Sequence, residues 1–135
     1  MENNNIMILN NKNIGVGKIE FNPNGNLIIT DKSGKYYLVV CIQYNIEDIN
    51  NISVGEDKKI DFNEYYICEN NEPALIIPTI SSVQRLDNDI LRFHFNFENI
   101  ENDIHYMNKK EHFDIELKSL KCDIEINYNK VSKGI

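Results

Sequence analysis

The chain has 135 residues, of which 41% are hydrophobic, and its 14 basic against 21 acidic side chains give a formal net charge of −7. This length fits one domain with its own core, so we expect a single domain over residues 1–135. The acidic balance excludes nucleic acid and anionic membrane surfaces as main partners, because both require a concentrated cationic surface.

Two features predict the compartment in which the chain works. The apolar run at residues 6–9 is far too short for a signal peptide, and no run approaches the roughly 20 apolar residues of a membrane span. Cys41, Cys68 and Cys122 are odd in number, far apart and set in apolar runs, which predicts buried free thiols. We therefore expect a cytoplasmic protein, or one released without a signal peptide, that has no membrane span.

A β-meander is predicted over residues 14–46. Strands at residues 18–21 and 27–30 flank a turn rich in Asn, Pro and Gly, and a second turn at residues 31–35 leads into a long apolar run at residues 36–46. Both faces of that last strand are apolar near its start, which predicts that it is covered on both sides. The run from Gly15 to Lys18 lacks the spacing of a phosphate-binding loop and indicates a glycine-bent edge strand.

The middle of the chain predicts a loop followed by three or more strands. Residues 47–59 are polar and interrupted, with at most one helical turn carrying Ile46 and Ile49. Residues 65–68 and 74–77 are strand-like, and Pro78 restricts the second of these to a sheet edge or a bend. A hairpin follows over residues 79–97 with its turn at residues 87–89. Its return strand alternates strictly, with Leu91, Phe93, Phe95 and Phe97 on one face and Arg92, His94 and Asn96 on the other.

The last part of the chain predicts one helix and one more hairpin. Residues 98–110 form the only predicted helix, because Ile100, Ile104 and Met107 share a face. Residues 111–118 and 121–128 then form the last hairpin. The chain is thus predicted to be an all-β, mainly antiparallel, β-sandwich or partly open barrel of about nine strands, with at most one short helix near 98–110.

Four carboxylates form the candidate site. In the hairpin that pairs residues 111–118 with 121–128, Glu116 lies opposite Asp123 and Asp114 lies opposite Glu125. Like charges directly opposite each other destabilise a sheet by about 0.2–1 kcal/mol per pair. Asp114, Glu116, Asp123 and Glu125 therefore form a candidate surface for a basic protein partner.

The four carboxylates could also be neutralised without a protein partner, in either of two ways. A divalent cation would neutralise them, although flat strand faces supply converging oxygens poorly. Ion pairing within the chain would do the same if a neighbouring strand supplied positive charge. The side chains available for this are Arg92, His94, Lys118 and Lys121.

The sequence contains no recognisable catalytic, cofactor-binding or metal-binding constellation. His94, His105 and His112 have none of the spacings that bring zinc ligands together, and the cysteines lie among apolar neighbours that disfavour a reactive thiolate. We expect no catalytic residues, no cofactor and no metal.

The β-meander supports a family resemblance. Its segments at residues 18–21 and 37–40, together with the size, acidity and richness in Asn and Ile, resemble small accessory proteins of clostridial toxin gene clusters, including the orfX-type neurotoxin-associated group. The resemblance implies a non-enzymatic protein that assembles with other products of its cluster.

The sequence predicts a non-enzymatic protein that binds or assembles with a protein partner, such as a toxin-complex accessory protein or an inhibitor or immunity protein. Self-association through an exposed sheet edge is part of this prediction. The alternative is a carrier of a small ligand or lipid with an apolar cavity inside the β-sheet, lined by residues such as Leu38, Phe93 and Phe95. An enzyme is the third class, and it would require His beside Asp, Glu or Cys in a cleft.

Overall fold

The structure, a computed structural model, describes residues 5–22, 25–107 and 113–127. These residues form two sheets. The six-stranded sheet contains β1 (Ile6–Leu9), β2 (Lys12–Asn13), β6 (Asp57–Lys59), β9 (Ile80–Asp87), β10 (Ile90–Phe97) and β11 (Leu120–Asn127), in the order β2-β1-β11-β10-β9-β6. The five-stranded sheet contains β3 (Val16–Phe21), β4 (Asn26–Asp31), β5 (Tyr36–Cys41), β7 (Tyr65–Glu69) and β8 (Glu72–Ile76), in the order β3-β4-β5-β7-β8.

The two sheets enclose one hydrophobic core. Each inward row consists of the apolar residues that alternate along its strand, such as Leu38 and Val40 on β5 and Phe93 and Phe95 on β10, and all four side chains are fully buried. The paired strands are antiparallel throughout the named strands. The predicted all-β class is therefore confirmed, and the architecture is that of a sandwich.

Turns with positive φ close the hairpins, as the Asn-rich composition leads one to expect. Asn10 and Asn11 between β1 and β2, and Asn70 and Asn71 between β7 and β8, all have φ between 50° and 73°. Positive φ at both central residues defines the tight hairpin turn that Asn tolerates better than most residues do.

The five-stranded sheet follows the predicted meander. Asp31 begins the turn between β4 and β5, where its buried carboxylate accepts hydrogen bonds from the Tyr36 N–H (3.1 Å) and the Ser33 hydroxyl (2.7 Å). β3 is an edge strand, and at Gly17 a Cβ atom would lie 2.7 Å from the Asp31 carbonyl oxygen. The glycine-bent edge strand is thus confirmed, as is the edge position of β8.

The long strand predicted at residues 36–46 ends at Cys41. A 3-10 turn follows at Gln43–Asn45, and helix α1 spans Ile46–Asn50. Buried Arg85 on β9 holds the end of α1, because its guanidinium donates to the carbonyl oxygens of Ile49 (3.1 Å) and Ile52 (2.6 Å). A cation at this end also complements the helix dipole.

The predicted helix at 98–110 is divided in the structure. A 3-10 turn at Ile100–Asn102 is separated from α2 (Ile104–Met107) by Asp103, which is extended (ψ 125°) and accepts a hydrogen bond from the His105 N–H. Because of this break, the residues after Asp103 no longer continue the helical face that begins at Ile100. Ile100 is buried, but Ile104 and Met107 are 69% and 47% exposed, so the predicted shared face is wrong. Residues 108–110 lie outside the described residues.

The predicted hairpin between residues 111–118 and 121–128 is wrong. Residues 113–119 form no strand, and β11 instead pairs with β10 on one side and β1 on the other. The reason is long-range competition, because β1 and β10 offer β11 two apolar partners. Residues 111, 112 and 128 of the prediction lie outside the described residues.

Candidate functional site

The structure does not bring the four predicted carboxylates together. Asp114 and Glu116 lie exposed on the irregular segment before β11, whereas Asp123 and Glu125 lie on the outer face of β11. Asp123 is opposite His94 and Glu125 is opposite Arg92 in the β10–β11 register. Ion pairing within the chain accounts for Asp123, and the predicted like-charge pairing is wrong. A partner surface at Asp114, Glu116, Asp123 and Glu125 stays a prediction.

Asp123 joins a charged row on the outer face of the six-stranded sheet. Its Oδ1 atom lies 2.8 Å from His94 Nδ1 and 3.8 Å from Arg92 Nε. Ser82 is opposite His94 in the register of β9 and β10, but among the described residues no hydrogen bond joins its hydroxyl to the imidazole. A nucleophilic serine requires a base within hydrogen-bond reach. The arrangement neutralises charge on a half-exposed sheet face.

Asp114 belongs to a second charged group. Lys35 Nζ lies 3.0 Å from Asp114 Oδ2 and 3.6 Å from Glu69 Oε2, and both oxygens of the Glu69 carboxylate accept from the Asp114 N–H at 3.0–3.1 Å. The hydrogen bond from Lys35 holds the pKa of Asp114 below its usual value and raises the pKa of Lys35. Glu69 is 2% exposed, so this group fastens the segment before β11 to the five-stranded sheet.

The three cysteines are free thiols. Cys68 and Cys122 are buried as predicted, but Cys41 is only half-buried, because β5 turns it to the outer face of its sheet. Burial raises the pKa of all three thiols. A raised pKa disfavours the thiolate that a reactive cysteine requires.

A cleft of about 500 Å³ lies where β7 begins and β8 ends. Its volume is within the 300–1,000 Å³ that is typical of ligand pockets. The apolar and aromatic part of its wall consists of Phe62, Tyr65, Leu75, Ile76, Ile77 and Pro78.

The floor of the cleft is joined to β9 by hydrogen bonds. The Tyr65 hydroxyl accepts a hydrogen bond from the Phe62 N–H (2.8 Å) and donates to Ser81 Oγ (2.7 Å), so both aromatic residues are fixed to β9. Their rings also pack against Phe95, with centroids 5.9–6.2 Å apart. Burial raises the pKa of Tyr65.

The rim of the cleft carries several polar side chains and one exposed apolar side chain. Asp61, Asn63, Glu64 and His105 supply its polar side chains, and Ile77 is 61% exposed. Helix α2 contacts β8, and this places the exposed side chains of Ile104 and Met107 on an element that borders the cleft. The sequence analysis missed this site because its residues come from three separate segments.

The outer face of the five-stranded sheet is a second apolar surface. Ile28, Val39, Tyr66 and Leu75 are direct cross-strand neighbours on β4, β5, β7 and β8, and all four are half-buried. We call this row the apolar outer face. Leu75 belongs both to this face and to the wall of the cleft.

The histidines occupy unrelated surroundings. His94 pairs with Asp123, His105 lies at the cleft, and His112 is outside the described residues. Within residues 5–22, 25–107 and 113–127, no three His, Cys, Asp or Glu side chains are grouped so that they could hold a metal ion. Over the same residues, no helix has the length and apolar character needed to cross a membrane.

Comparison with known proteins supports the fold and names no family. No protein-family model matches the chain, and no curated protein is significantly similar to it in sequence. Among solved structures, the chain is similar to a polyisoprenoid binding domain from Saccharophagus degradans implicated in plant cell wall breakdown, with a TM-score of 0.59 and 9% sequence identity. The match covers 92% of this chain and 91% of that one. At this identity the likeness shows a shared fold alone.

Proposed function

We propose that the chain is a non-catalytic binding protein for a small ligand with an apolar body, and that the ligand occupies the cleft beside β8. The observation that carries the proposal is the cleft itself, with six apolar or aromatic wall residues and a few polar groups at its rim. Ligand sites are typically concave and combine apolar side chains with a few polar groups. This cleft has both kinds of side chain, and more of its exposed lining is polar than apolar.

The exposed apolar side chains beside the cleft support an apolar ligand. Ile77, directly after β8, is exposed and lines the cleft, and Ile104 and Met107 are exposed on α2, which contacts β8. Single exposed apolar residues are common on any surface, whereas neighbouring ones are less so. Fully burying one such side chain contributes about 1.5–3 kcal/mol. A ligand that covered Ile77 would therefore gain affinity from its contact.

The shared fold is a second, weaker support. The similar structure is described as a polyisoprenoid binding domain, and a polyisoprenoid is an apolar chain of the kind that the cleft wall suits. The proposed site differs from the interior cavity that the sequence suggested. Leu38, Phe93 and Phe95 are fully buried, and the rings of Phe93 and Phe95 lie 6.1 Å apart, within the packed core.

The proposal is tested by titrating the protein with farnesol, an uncharged isoprenoid alcohol, and following binding by calorimetry and by amide NMR shifts. We expect shifts around Ile77 and at least a roughly tenfold loss of affinity in Ile77→Asp, since a tenfold change corresponds to about 1.4 kcal/mol. Val54→Asp is the matched control, because Val54 is also exposed (55%) but lies beside Arg85. Absence of binding, or equal effects of the two variants, would overturn the proposal.

Protein assembly is the second candidate function, and the apolar outer face favours it. Four apolar side chains in register across four strands form a flat surface that a hydrophobic protein face would cover. Assembly of this kind is what the resemblance to toxin-cluster accessory proteins implies, and it would be insensitive to salt.

The second candidate is tested by capture from the native host with three baits, namely the wild type, Val39→Glu and Gln84→Glu. Gln84 lies on the outer face of the other sheet, so it controls for the added charge. A stoichiometric partner that is lost only with Val39→Glu supports assembly through the apolar outer face. A partner retained by all three baits places the interaction elsewhere.

A further inference from the structure

Four strands form the edges of the two described sheets, and they differ in how well they could pair with another chain. β2 and β6 contain two and three residues, and β8 carries Pro73 and lies against α2. Short strands, proline and a covering element all discourage pairing at an edge. β3 has six residues and no proline, and no described strand lies beyond it. Among the described strands, β3 is therefore the edge with the most backbone available for pairing.

The backbone groups of Ile19, at the centre of β3, point away from β4. At the turn, the Asn22 N–H donates to the Asn26 carbonyl oxygen (3.0 Å). Because hydrogen-bonded pairs alternate along an antiparallel ladder, Glu20 and Lys18 are the next residues of β3 that bond to β4. The N–H and C=O of Ile19, which lies between them, face outward and are placed to bond to a strand added at this edge.

Two features of β3 oppose pairing with an arbitrary strand. The register shift between Val16 and Lys18 is a bulge, and the Lys18 side chain is 67% exposed. Bulges and edge lysines are means by which proteins avoid nonspecific strand addition. Glu20 lies on the same face as Lys18, with Oε2 3.7 Å from its Nζ. A strand that pairs with this edge must therefore present an acidic side chain to Lys18 and a basic one to Glu20.

β3 itself meets this requirement in one register. Directly opposite residues of an antiparallel pair lie on the same face, so two copies of β3 could pair with Lys18, Ile19 or Glu20 on the two-fold axis. Centring the pair on Lys18 or on Glu20 places like charges directly opposite each other, which destabilises a sheet. Centring it on Ile19 places Lys18 of each copy opposite Glu20 of the other. The outward N–H and C=O groups of the two Ile19 residues then bond to each other.

We propose that two copies of this chain form a dimer through β3, antiparallel and centred on Ile19, with Lys18 of each copy opposite Glu20 of the other. The dimer joins the two five-stranded sheets into one continuous sheet. It also covers the partly buried side chain of Ile19, which packs against the core. The charge pattern supplies specificity as well as attraction, because the neighbouring registers are repulsive. The inference does not depend on what the cleft binds.

The test is sedimentation equilibrium of the full chain over about a hundredfold range of concentration. The salt is kept near about 0.1 M, where charges within about 10 Å still interact. The wild type should pass from one chain to two as its concentration rises. Lys18→Glu and Glu20→Lys should each weaken the dimer about tenfold or more, because each variant places like charges opposite each other on both sides of the axis.

Two controls separate this register from a general effect of charge. The chain has a net charge of −7, so Glu20→Lys makes it less acidic and would strengthen any nonspecific association. Lys12→Glu makes the same change of charge as Lys18→Glu, but at the exposed strand β2 of the other sheet. It should dimerise as the wild type does.

Mixing the two variants tests the register directly. A mixed dimer of Lys18→Glu with Glu20→Lys has opposite charges at both cross-strand positions. It should therefore form at the concentrations at which the wild type dimerises, although neither variant pairs with itself. This recovery also shows that both variants are folded. A wild type that stays monomeric, single variants that dimerise as the wild type does, a mixture that stays monomeric, or an equal loss in Lys12→Glu overturns the inference.

Discussion

The two sheets share one core, but their outer faces differ in polarity. On four strands of the six-stranded sheet the outward row Lys59, Ser82, His94 and Asp123 is polar, and its His94 and Asp123 side chains are paired. Ile6 ends this row on β1. Across the five-stranded sheet the corresponding row is the apolar outer face, with Glu20 at its edge on β3. Both rows are in direct register, so the difference lies in the side chains and not in the backbone.

This difference bears on the two binding sites proposed above. The polar side chains on the outer face of the six-stranded sheet form their hydrogen bonds with each other and with water. Contiguous apolar surface, in contrast, is commonly a site of interaction. The cleft adjoins the apolar side, since Leu75 and β8 belong to both. Both proposed sites therefore lie on the five-stranded sheet, and the six-stranded sheet supports them from behind through Phe95 and Ser81.

The largest expected effect comes from the core that the two faces share. Phe95→Ala should lower the free energy of unfolding by about 3–5 kcal/mol, because it removes a fully buried ring from a packed aromatic cluster. His94→Ala, one residue away on the polar outer face, should cost less than about 1 kcal/mol. Urea unfolding of both variants measures the contrast. Similar losses would mean that His94 and Asp123 hold the sheet together more than their partial exposure implies.

The charged group that fastens the segment before β11 should give the next largest effect. Glu69→Gln should destabilise the protein by about 1–3 kcal/mol, since a buried carboxylate that shares the Asp114 N–H between its two oxygens and lies near a lysine loses its charge. Asp114→Asn should change stability little, because that carboxylate is 69% exposed. Thermal unfolding distinguishes them, and an equal shift in both would contradict the assigned role of Glu69.

Alkaline pH should weaken the fold by titrating the buried tyrosines. Burial raises the pKa of Tyr65 and Tyr106 above the usual value of about 10. The folded state therefore favours the protonated hydroxyl, and this stability is fully present below about pH 10 and is lost as the pH rises through the folded pKa. Unfolding in urea between about pH 8 and 11 measures the decline. Tyr65→Phe should flatten it, and a pH-independent stability of the wild type would contradict the burial effect.

Substitutions on the apolar outer face should have the smallest effect on stability and the clearest effect on the binding of a hydrophobic dye. Val39→Glu should leave the free energy of unfolding within about 1 kcal/mol of the wild type, because the side chain is half-exposed. It should nevertheless reduce the binding of a hydrophobic fluorescent dye to the native protein. Gln84→Glu on the polar outer face should leave the dye signal unchanged. Equal signals from both variants would remove the contrast between the faces.

Local patterns in the sequence were sufficient for most of the fold. The meander, the edge position of β8 and the hairpin with Phe93 and Phe95 inward all follow from turns and alternation that lie close together in the chain. The partner of β11 could not be predicted in this way. Its pairing with β1 brings Met7 opposite Cys122, and no local pattern encodes a contact at that separation.

The candidate site could not be predicted from the sequence for the same reason. Ile77, Phe62 and His105 come together only because β8, the segment before β7, and α2 meet at one end of the sandwich. The α2 pattern was also misleading, since the break at Asp103 exposes Ile104 and buries Tyr106. One weak indication of the site is present in the sequence, namely Ile77, an isoleucine that lies between an edge strand and a proline.

The strand order has a consequence for how the chain folds during synthesis. The strands of the five-stranded sheet are complete when Ile76 has emerged from the ribosome, whereas the six-stranded sheet must wait for β11, which lies between β1 and β10. Contacts between distant segments also form slowly, because a long loop must close before they are made. β6, β9 and β10 can pair once Phe97 has been translated, but the second sheet is complete only about fifty residues after Ile76, at about 5–20 residues per second. Until then the inner face of the first sheet is only partly covered.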